Sequence, residues 1–106
     1  MIIKMISKKT PTYDLITIKT AFDCPAKLVM TTSAKQGQVK LDFSDEDVVN
    51  AIQTLTQRNF YKSMPPLHTS FVAWQDVYKT HFKGVELYIK FQFNAKRELI
   101  LSFKEK

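Results

Sequence analysis

Apolar residues near the start of the chain recur at helical spacing. Leu15, Ile18 and Phe22 lie three and four residues apart, which predicts one apolar stripe on a helix over Tyr13–Asp23. Thr12 stands just before this segment and is the candidate N-cap. A helix with one face turned towards a core is therefore expected here.

Two further helical segments are predicted before residue 60. The clearer one has Ser44 as N-cap and three acidic residues in the first turn, where the helix dipole favours negative charge. Its apolar face consists of Val48, Ile52 and Leu55. A poorer helical turn is predicted around Ser33–Val39.

After Asn59 the pattern changes to extended segments that are rich in aromatic and β-branched residues. We expect four strands, at Phe60–Met64, Ser70–Tyr78, Val85–Phe93 and Leu99–Lys104. Helices that precede an antiparallel meander indicate an α+β fold, in which two to three helices pack on one face of a twisted sheet. The whole chain, residues 1–106, is expected to form one domain.

Alternation along the strands predicts which side chains share the uncovered face of the sheet. In the third strand, Tyr88 and Lys90 alternate with apolar residues, and in the fourth strand Lys104 does the same. Gln75 is an exception, because it has the same parity as Val77 and other apolar residues of its segment. A polar side chain in an apolar set needs hydrogen-bond partners, so Gln75 either lies where the strand leaves the core or belongs to a site.

The charge of the chain points to a polyanionic partner. Lys and Arg outnumber Asp and Glu by 16 to 10, which gives a net charge of +6. Nine of these basic residues and 10 of the 13 aromatic residues follow residue 53. The predicted sheet therefore carries both positive charge and rings on which bases can stack, a combination that favours nucleic acid over a membrane. An ordinary sheet with lysines at its edges has the same composition.

Several other classes of function lack the residues they need. The single cysteine, Cys24, excludes an internal disulfide and a thiolate zinc cluster, and we expect it to be a core residue at a helix end. No metal site is predicted, because the carboxylate cluster at residues 45–47 is explained by a helix start. No cofactor is predicted either, since the two glycines of the chain cannot form a Gly-rich phosphate loop. No segment is typical of a signal peptide or a membrane span, so a cytoplasmic protein is expected.

Lysine, tyrosine and glutamine remain as the candidate reactive groups of the sheet. They suit metal-free RNA cleavage, in which the 2′-hydroxyl attacks the adjacent phosphate and lysines stabilise the charge that develops. The same residues could bind phosphates without reacting, as in a non-catalytic RNA- or DNA-binding module. A third interpretation is a histidine ribonuclease that uses His68 and His81, although both are predicted in loops.

Four stretches of the second half resemble one family. They are NFYKSM at 59–64, WQDVY at 74–78, LYIK at 87–90 and SFKEK at 102–106. In order and approximate spacing they are similar to the MqsR family, the motility quorum-sensing regulators that are toxins of bacterial type II toxin–antitoxin systems. KKTPTYDL at 8–15 and LDF at 41–43 are weakly similar as well.

The resemblance implies a RelE-like fold and a metal-independent mRNA interferase that inhibits translation and growth by cutting RNA at preferred sequences. The candidate catalytic residues that it implies are Lys62, Gln75, Tyr88 and Lys104. We expect the two lysines to stabilise the phosphorane, Tyr88 to move a proton or position the 2′-hydroxyl, and Gln75 to orient the scissile group. Tyr61, Lys79 and Lys90 are candidate RNA-binding residues, and Trp74 is expected in the core.

The resemblance also implies a protein partner in addition to mRNA. This partner is a cognate antitoxin similar to MqsA, with a zinc-binding part that neutralises the toxin and a helix-turn-helix part. Operator DNA would be contacted only through the antitoxin, and no membrane contact is expected.

Overall fold

Three helices precede a four-stranded antiparallel sheet in the computed structural model, which describes residues 7–65 and 73–106. The helices are α1 (Leu15–Ala21), α2 (Thr32–Lys40) and α3 (Asp45–Gln53), with single 3₁₀ turns at Pro25–Lys27 and Gln57–Asn59. The strands are β1 (Phe60–Met64), β2 (Gln75–Phe82), β3 (Val85–Phe93) and β4 (Leu99–Glu105), and they are adjacent in chain order. The predicted α+β class is confirmed. In the described part of the chain, no helix has the length and apolar character needed to cross a membrane.

Local capping explains where two of the helices begin. At α3, Ser44 Oγ accepts a hydrogen bond from Asp47 N and Asp47 Oδ2 accepts one from Ser44 N, which confirms the predicted N-cap. At α1 the prediction of Thr12 as the cap was wrong, because Asp14 Oδ2 accepts from Thr17 N. The amide of Thr12 instead donates to a carboxylate 64 residues away, a contact that local pattern does not reveal.

The core lies between the helices and one face of the sheet. The helical stripes that the sequence predicts are buried, and so are the alternate residues of the last two strands. The buried residues of the predicted helical stripes are Leu15, Ile18, Phe22, Val48, Ile52 and Leu55, of which Phe22 and Leu55 lie just beyond the helix ends, and the buried strand residues include Leu87, Ile89, Phe91, Leu101 and Phe103. None of the described helices covers the other face of the sheet, which is called the open face below.

Strand β2 lies later in the sequence than predicted. It starts at Gln75 and continues to Phe82, where Lys83 and Gly84 turn into β3 with positive φ angles of 51° and 77°. Two successive left-handed residues form the tight hairpin turn that suits twisted strands, so pairing extends up to the turn. The first residues of the predicted strand, 70–72, lie outside the described residues.

The side-chain parity of β2 also differs from the apolar pattern. Asp76 and Tyr78 face the helices, whereas Gln75, Val77 and Lys79 lie on the open face. Gln75 is therefore not a polar residue in a core-facing set. The pattern was misleading because a carboxylate, that of Asp76, occupies a core-facing position of this strand, while a valine occupies the open face.

Chain segments cover both edges of the sheet. Lys8 pairs with Ser63 of β1 through two backbone hydrogen bonds of 2.8 Å. On the other side, Leu101 of β4 bonds to Val29 O and Thr31 N, and α2 packs along the rest of this strand. Covered edges do not recruit further strands, so the open face is the part of the sheet that remains accessible to a ligand.

Two predicted core residues are only half-buried. Trp74 stands outside the core cluster, and the Nζ of Lys8 lies 4.4 Å from the centroid of its ring. Cys24 precedes the 3₁₀ turn at Pro25–Lys27 with its thiol free. Both predictions were wrong because residue type alone does not reveal a side chain at the margin of a core.

Candidate functional site

A β-bulge at the start of β1 turns two neighbouring side chains towards the open face. Phe60 pairs with Tyr78 and packs edge-on against its ring on the core side, but the register then shifts so that Lys62 pairs with Val77. The extra residue is Tyr61, which is 43% exposed. A bulge breaks strict alternation, and here it presents Tyr61 and Lys62 side by side.

The register of the other strands aligns the remaining candidates in two neighbouring rows. Tyr88 of β3 lies directly between Lys79 of β2 and Lys104 of β4. In the next row, Val77 separates Lys62 from Lys90. Neighbouring strands are about 4.8 Å apart, so the two outer residues of each row come from backbone positions about 10 Å apart.

These rows form a groove of about 300 Å³, which we call the sheet groove. Its lining residues are Tyr61, Lys62, Met64, Val77, Tyr88, Lys90 and Lys104. Three of the four predicted catalytic residues therefore share one groove. Gln75 lines an adjoining cavity of about 180 Å³, which shares Lys90 with the sheet groove.

Two of the three predicted RNA-binding residues, Tyr61 and Lys79, form an aromatic and cationic wall together with Tyr88. The rings of Tyr61 and Tyr88 have centroids 6.2 Å apart and are tilted by 37°. Lys79 Nζ lies 3.7 Å from the Tyr61 centroid and 5.6 Å from the Tyr88 centroid. Cation–π attraction orders this lysine beside the two rings, and the exposed Tyr61 ring offers a surface for stacking.

Among the residues that the structure describes, no carboxylate forms an ion pair with the lysines of the open face. The ion pairs of the described residues involve Lys27, Lys83 and Lys106, so Lys62, Lys79, Lys90 and Lys104 form none within the described part. Burial lowers the pKa of Lys90, and the positive charges of Lys104 and Lys62 lower that pKa further. A bound anion would relieve this repulsion, so the arrangement favours a polyanionic ligand.

One buried pair behind the groove was missed by the sequence analysis. Ser63 and Asp76 are fully buried and lie opposite each other on β1 and β2. The Asp76 carboxylate accepts hydrogen bonds from Ser63 Oγ and from the backbone N–H groups of residues 12–13. Lys62 and Gln75 immediately precede Ser63 and Asp76 in the two strands. The buried pair faces the core, so the side chains of Lys62 and Gln75 are directed to the opposite, open face. The signal was a carboxylate at the core-facing position of WQDVY.

The histidine interpretation gains no geometric support from the described residues. The prediction that His81 lies in a loop was wrong. His81 lies near the end of β2, where it is exposed and pairs with Glu86 of β3. It does not line the sheet groove. His68 lies outside the described residues, so the structure gives no distance between the two histidines.

Comparison with known proteins finds a family whose sequence model matches this chain. The sequence model of the family described as "Motility quorum-sensing regulator, toxin of MqsA" matches residues 10–105, nearly the whole chain. A search of curated proteins finds no match to this sequence. The matched range includes every residue of the sheet groove.

Proposed function

Because the chain belongs to the MqsR family of motility quorum-sensing regulator toxins, we propose that it is a metal-independent mRNA interferase that acts in the sheet groove. Family membership makes it the toxin of a toxin–antitoxin pair, with an antitoxin as its partner. The observation that carries the nuclease proposal is the gathering of two tyrosines and three lysines in one groove of about 300 Å³, where the lysines form no ion pair with any described residue.

The proposed reaction is an internal transfer at one RNA phosphate. The 2′-hydroxyl oxygen attacks phosphorus and loses its proton, while the bond from phosphorus to the 5′-oxygen breaks and that oxygen gains a proton. The products are a 2′,3′-cyclic phosphate and a 5′-hydroxyl. Negative charge accumulates on the five-coordinate phosphorus, so preorganised cations around it lower the barrier.

The groove supplies groups for each part of this reaction. Lys62 and Lys104 lie at opposite sides of the groove and would both reach a phosphate bound between them. Tyr88, directly opposite Lys104, would move a proton or position the 2′-hydroxyl. Gln75, across Lys90 in the adjoining cavity, would orient the scissile group.

Lys90, Lys79 and Tyr61 would bind the rest of the RNA. Lys90 lines both the sheet groove and the cavity of Gln75. Its ammonium group would therefore contact a phosphate bound where these two spaces adjoin. Tyr61 would stack a base, with Lys79 beside its ring. Single-stranded RNA suits this wall because unpaired bases can leave their own stack and lie on a protein ring.

The proposed partner is an antitoxin similar to MqsA, the protein named in the family description. Its zinc-binding part would neutralise the toxin, and its helix-turn-helix part would carry the pair to operator DNA. The toxin would encounter mRNA in the cytoplasm. Co-purification of the chain with the product of a neighbouring open reading frame tests this pairing.

Incubation of the purified chain with a defined single-stranded RNA in excess chelator tests the nuclease proposal. We expect shortened fragments whose new 5′ ends are hydroxyls, which a polynucleotide kinase labels without prior phosphatase treatment. The Lys62→Ala, Lys104→Ala double variant, purified in the same way, controls for a contaminating nuclease. Intact RNA that migrates more slowly in a gel would indicate the non-catalytic binding module instead.

A further inference from the structure

A second cavity adjoins the sheet groove on the side away from Tyr61. It has a volume of about 450 Å³ and lies between helix α2 and strand β4. We call it the helix cavity; Gly37 and Lys40 of α2 line one side, and Lys90, Lys104 and Glu105 line the other. Lys90 and Lys104 also line the sheet groove, so the two spaces adjoin at these lysines.

The helix cavity combines an apolar wall with polar groups at its rim. Leu41 and Phe103 supply the apolar lining. Gly37 of α2 faces Phe103 across the cavity, and a Cβ at this position would lie 3.8 Å from Phe103 Cε2. Because glycine has no side chain, α2 does not fill this part of the cavity. Lys40 and Glu105 are exposed, and neither forms an ion pair within residues 7–65 and 73–106.

We propose that the helix cavity holds the base of the nucleotide next to the scissile phosphate and that Glu105 selects a base with an exocyclic amine. This inference rests on the proposed function, because Lys90 and Lys104 would hold the phosphate that links the two subsites. Proteins read single-stranded RNA by accommodating a splayed base against apolar side chains and bonding to its polar edge.

The chemistry of Glu105 determines which bases fit. An ionised carboxylate only accepts hydrogen bonds, and adenine, cytosine and guanine each present an exocyclic amine that donates one. Uracil has no such amine and places a carbonyl oxygen on each side of its single edge N–H, so it repels the carboxylate. Lys40 at the same rim would contact the next phosphate.

Cleavage of a randomised single-stranded RNA pool in chelator, with the fragment ends sequenced, tests this subsite. For the wild type we expect uracil to be depleted about tenfold at one position flanking the cut, which is the discrimination typical of one base-edge contact. Glu105→Gln should reduce that depletion to about twofold or less, because an amide also donates to a carbonyl oxygen. Gly37→Leu should weaken base preference at the same position by filling the cavity.

Matched variants separate these effects from a general loss of structure. Gly37→Ala adds only a Cβ at ordinary van der Waals distance and should keep the uracil depletion. Lys40→Ala should weaken RNA binding several-fold, whereas Lys35→Ala, an exposed lysine of the same helix outside the cavity, should not. Glu105 is exposed, so its variant reports on selection even where Gly37→Leu folds poorly.

The outcomes distinguish this inference from the proposed function. If the wild type cuts the pool without depleting uracil beside the cut, or if Glu105→Gln retains the full depletion, the base subsite is wrong and the nuclease proposal stands. If the wild type leaves the entire pool intact, the nuclease proposal fails and the subsite falls with it.

Discussion

The hydroxyl of Ser63 donates a hydrogen bond to Asp76 Oδ1 across 2.6 Å, and both residues are fully buried on the helix side of β1 and β2. The same carboxylate accepts from the amides of Thr12 and Tyr13 at 2.9 to 3.0 Å. A buried carboxylate is tolerated only where donors surround it, and here the donors come from two separate segments, the chain before α1 and strand β1. The pair therefore ties the chain before α1 to the strands that carry Lys62 and Gln75.

Asp76→Ala should lower the free energy of unfolding by about 3 kcal/mol, because it leaves buried donors without an acceptor. Urea unfolding measured by circular dichroism checks this value. Asp23→Ala is the matched control: its ion pair with Lys27 is exposed, so the expected loss is at most about 0.5 kcal/mol. Equal losses in the two variants would contradict the anchoring role of Asp76.

Tyr78→Phe should stabilise the protein. Tyr78 is fully buried and its hydroxyl has no hydrogen-bond partner among the described residues, so its removal should gain about 1 kcal/mol at neutral pH. Burial and then the charges of Asp76 and Asp14 raise the pKa of Tyr78 to about 12. The unfolded chain ionises first, near the ordinary pKa of 10.0, so wild-type stability should fall as the pH rises from 10 to 12.

Denaturant midpoints between pH 7 and pH 12 check both parts of the Tyr78 prediction. The alkaline loss should be smaller in Tyr78→Phe than in the wild type. Tyr61→Phe, at an exposed ring, serves as the control and should follow the wild type. A wild-type-like alkaline loss in Tyr78→Phe would assign that loss to other groups.

Lys90→Met should raise stability at pH 7 and weaken RNA binding. The pKa of Lys90 is lowered by burial and by the charges of Lys104 and Lys62, so its cationic form is less favourable in the folded state than in the unfolded one. The penalty is fully present below the lowered pKa and disappears as the pH rises through 10.5, where the unfolded lysine loses its proton. The stability gain of the variant should therefore vanish by that pH.

Urea midpoints at pH 7 and pH 10.5, together with RNA titrations, check the Lys90 prediction. Lys35→Met, on the exposed surface of α2, controls for the effect of a new apolar side chain. RNA affinity of the Lys90 variant should also depend less steeply on salt, because one phosphate contact is lost. A stability gain that persists at pH 10.5 would mean that packing, rather than charge, causes it.

Tyr88→Phe should lower RNA cleavage by roughly ten- to a thousand-fold while RNA binding changes little, since only the hydroxyl is removed and the ring remains beside Lys79 and Tyr61. Single-turnover cleavage with the RNA in complex with excess protein measures this step. Tyr61→Phe, whose hydroxyl has no proposed role, should cut at nearly the wild-type rate. Full activity in Tyr88→Phe would remove Tyr88 from the proposed chemistry.

The local features of the fold could be predicted from the sequence because their causes are local. Ser44 and the acidic turn after it define the start of α3 through hydrogen bonds that span three residues. Strict alternation in β3 sorts Leu87, Ile89 and Phe91 to the core and Tyr88 and Lys90 to the open face. Lys104 follows by the same rule, so three residues of the sheet groove were placed on one face by periodicity.

The residues of β1 and β2 could not be placed in this way, because distant segments decide their orientation. Asp76 faces the core only because the chain before α1 supplies its donors, and Gln75 therefore faces the opposite side. The bulge that puts Tyr61 beside Lys62 depends on a register shift between two strands. The alternation of residues within one strand predicts neither the orientation of Asp76 nor the bulge at Tyr61.

The sequence by itself determined the α+β class, the capped helix α3 and the residue types available for chemistry, since propensity, capping and alternation act over a few neighbouring residues. Only the tertiary structure decided that Lys62, Tyr88 and Lys104 share one groove, in which no described residue contributes a carboxylate, and that α2 lines a second cavity beside them. Those relationships arise from strand register and helix docking, which depend on contacts between residues far apart in the chain.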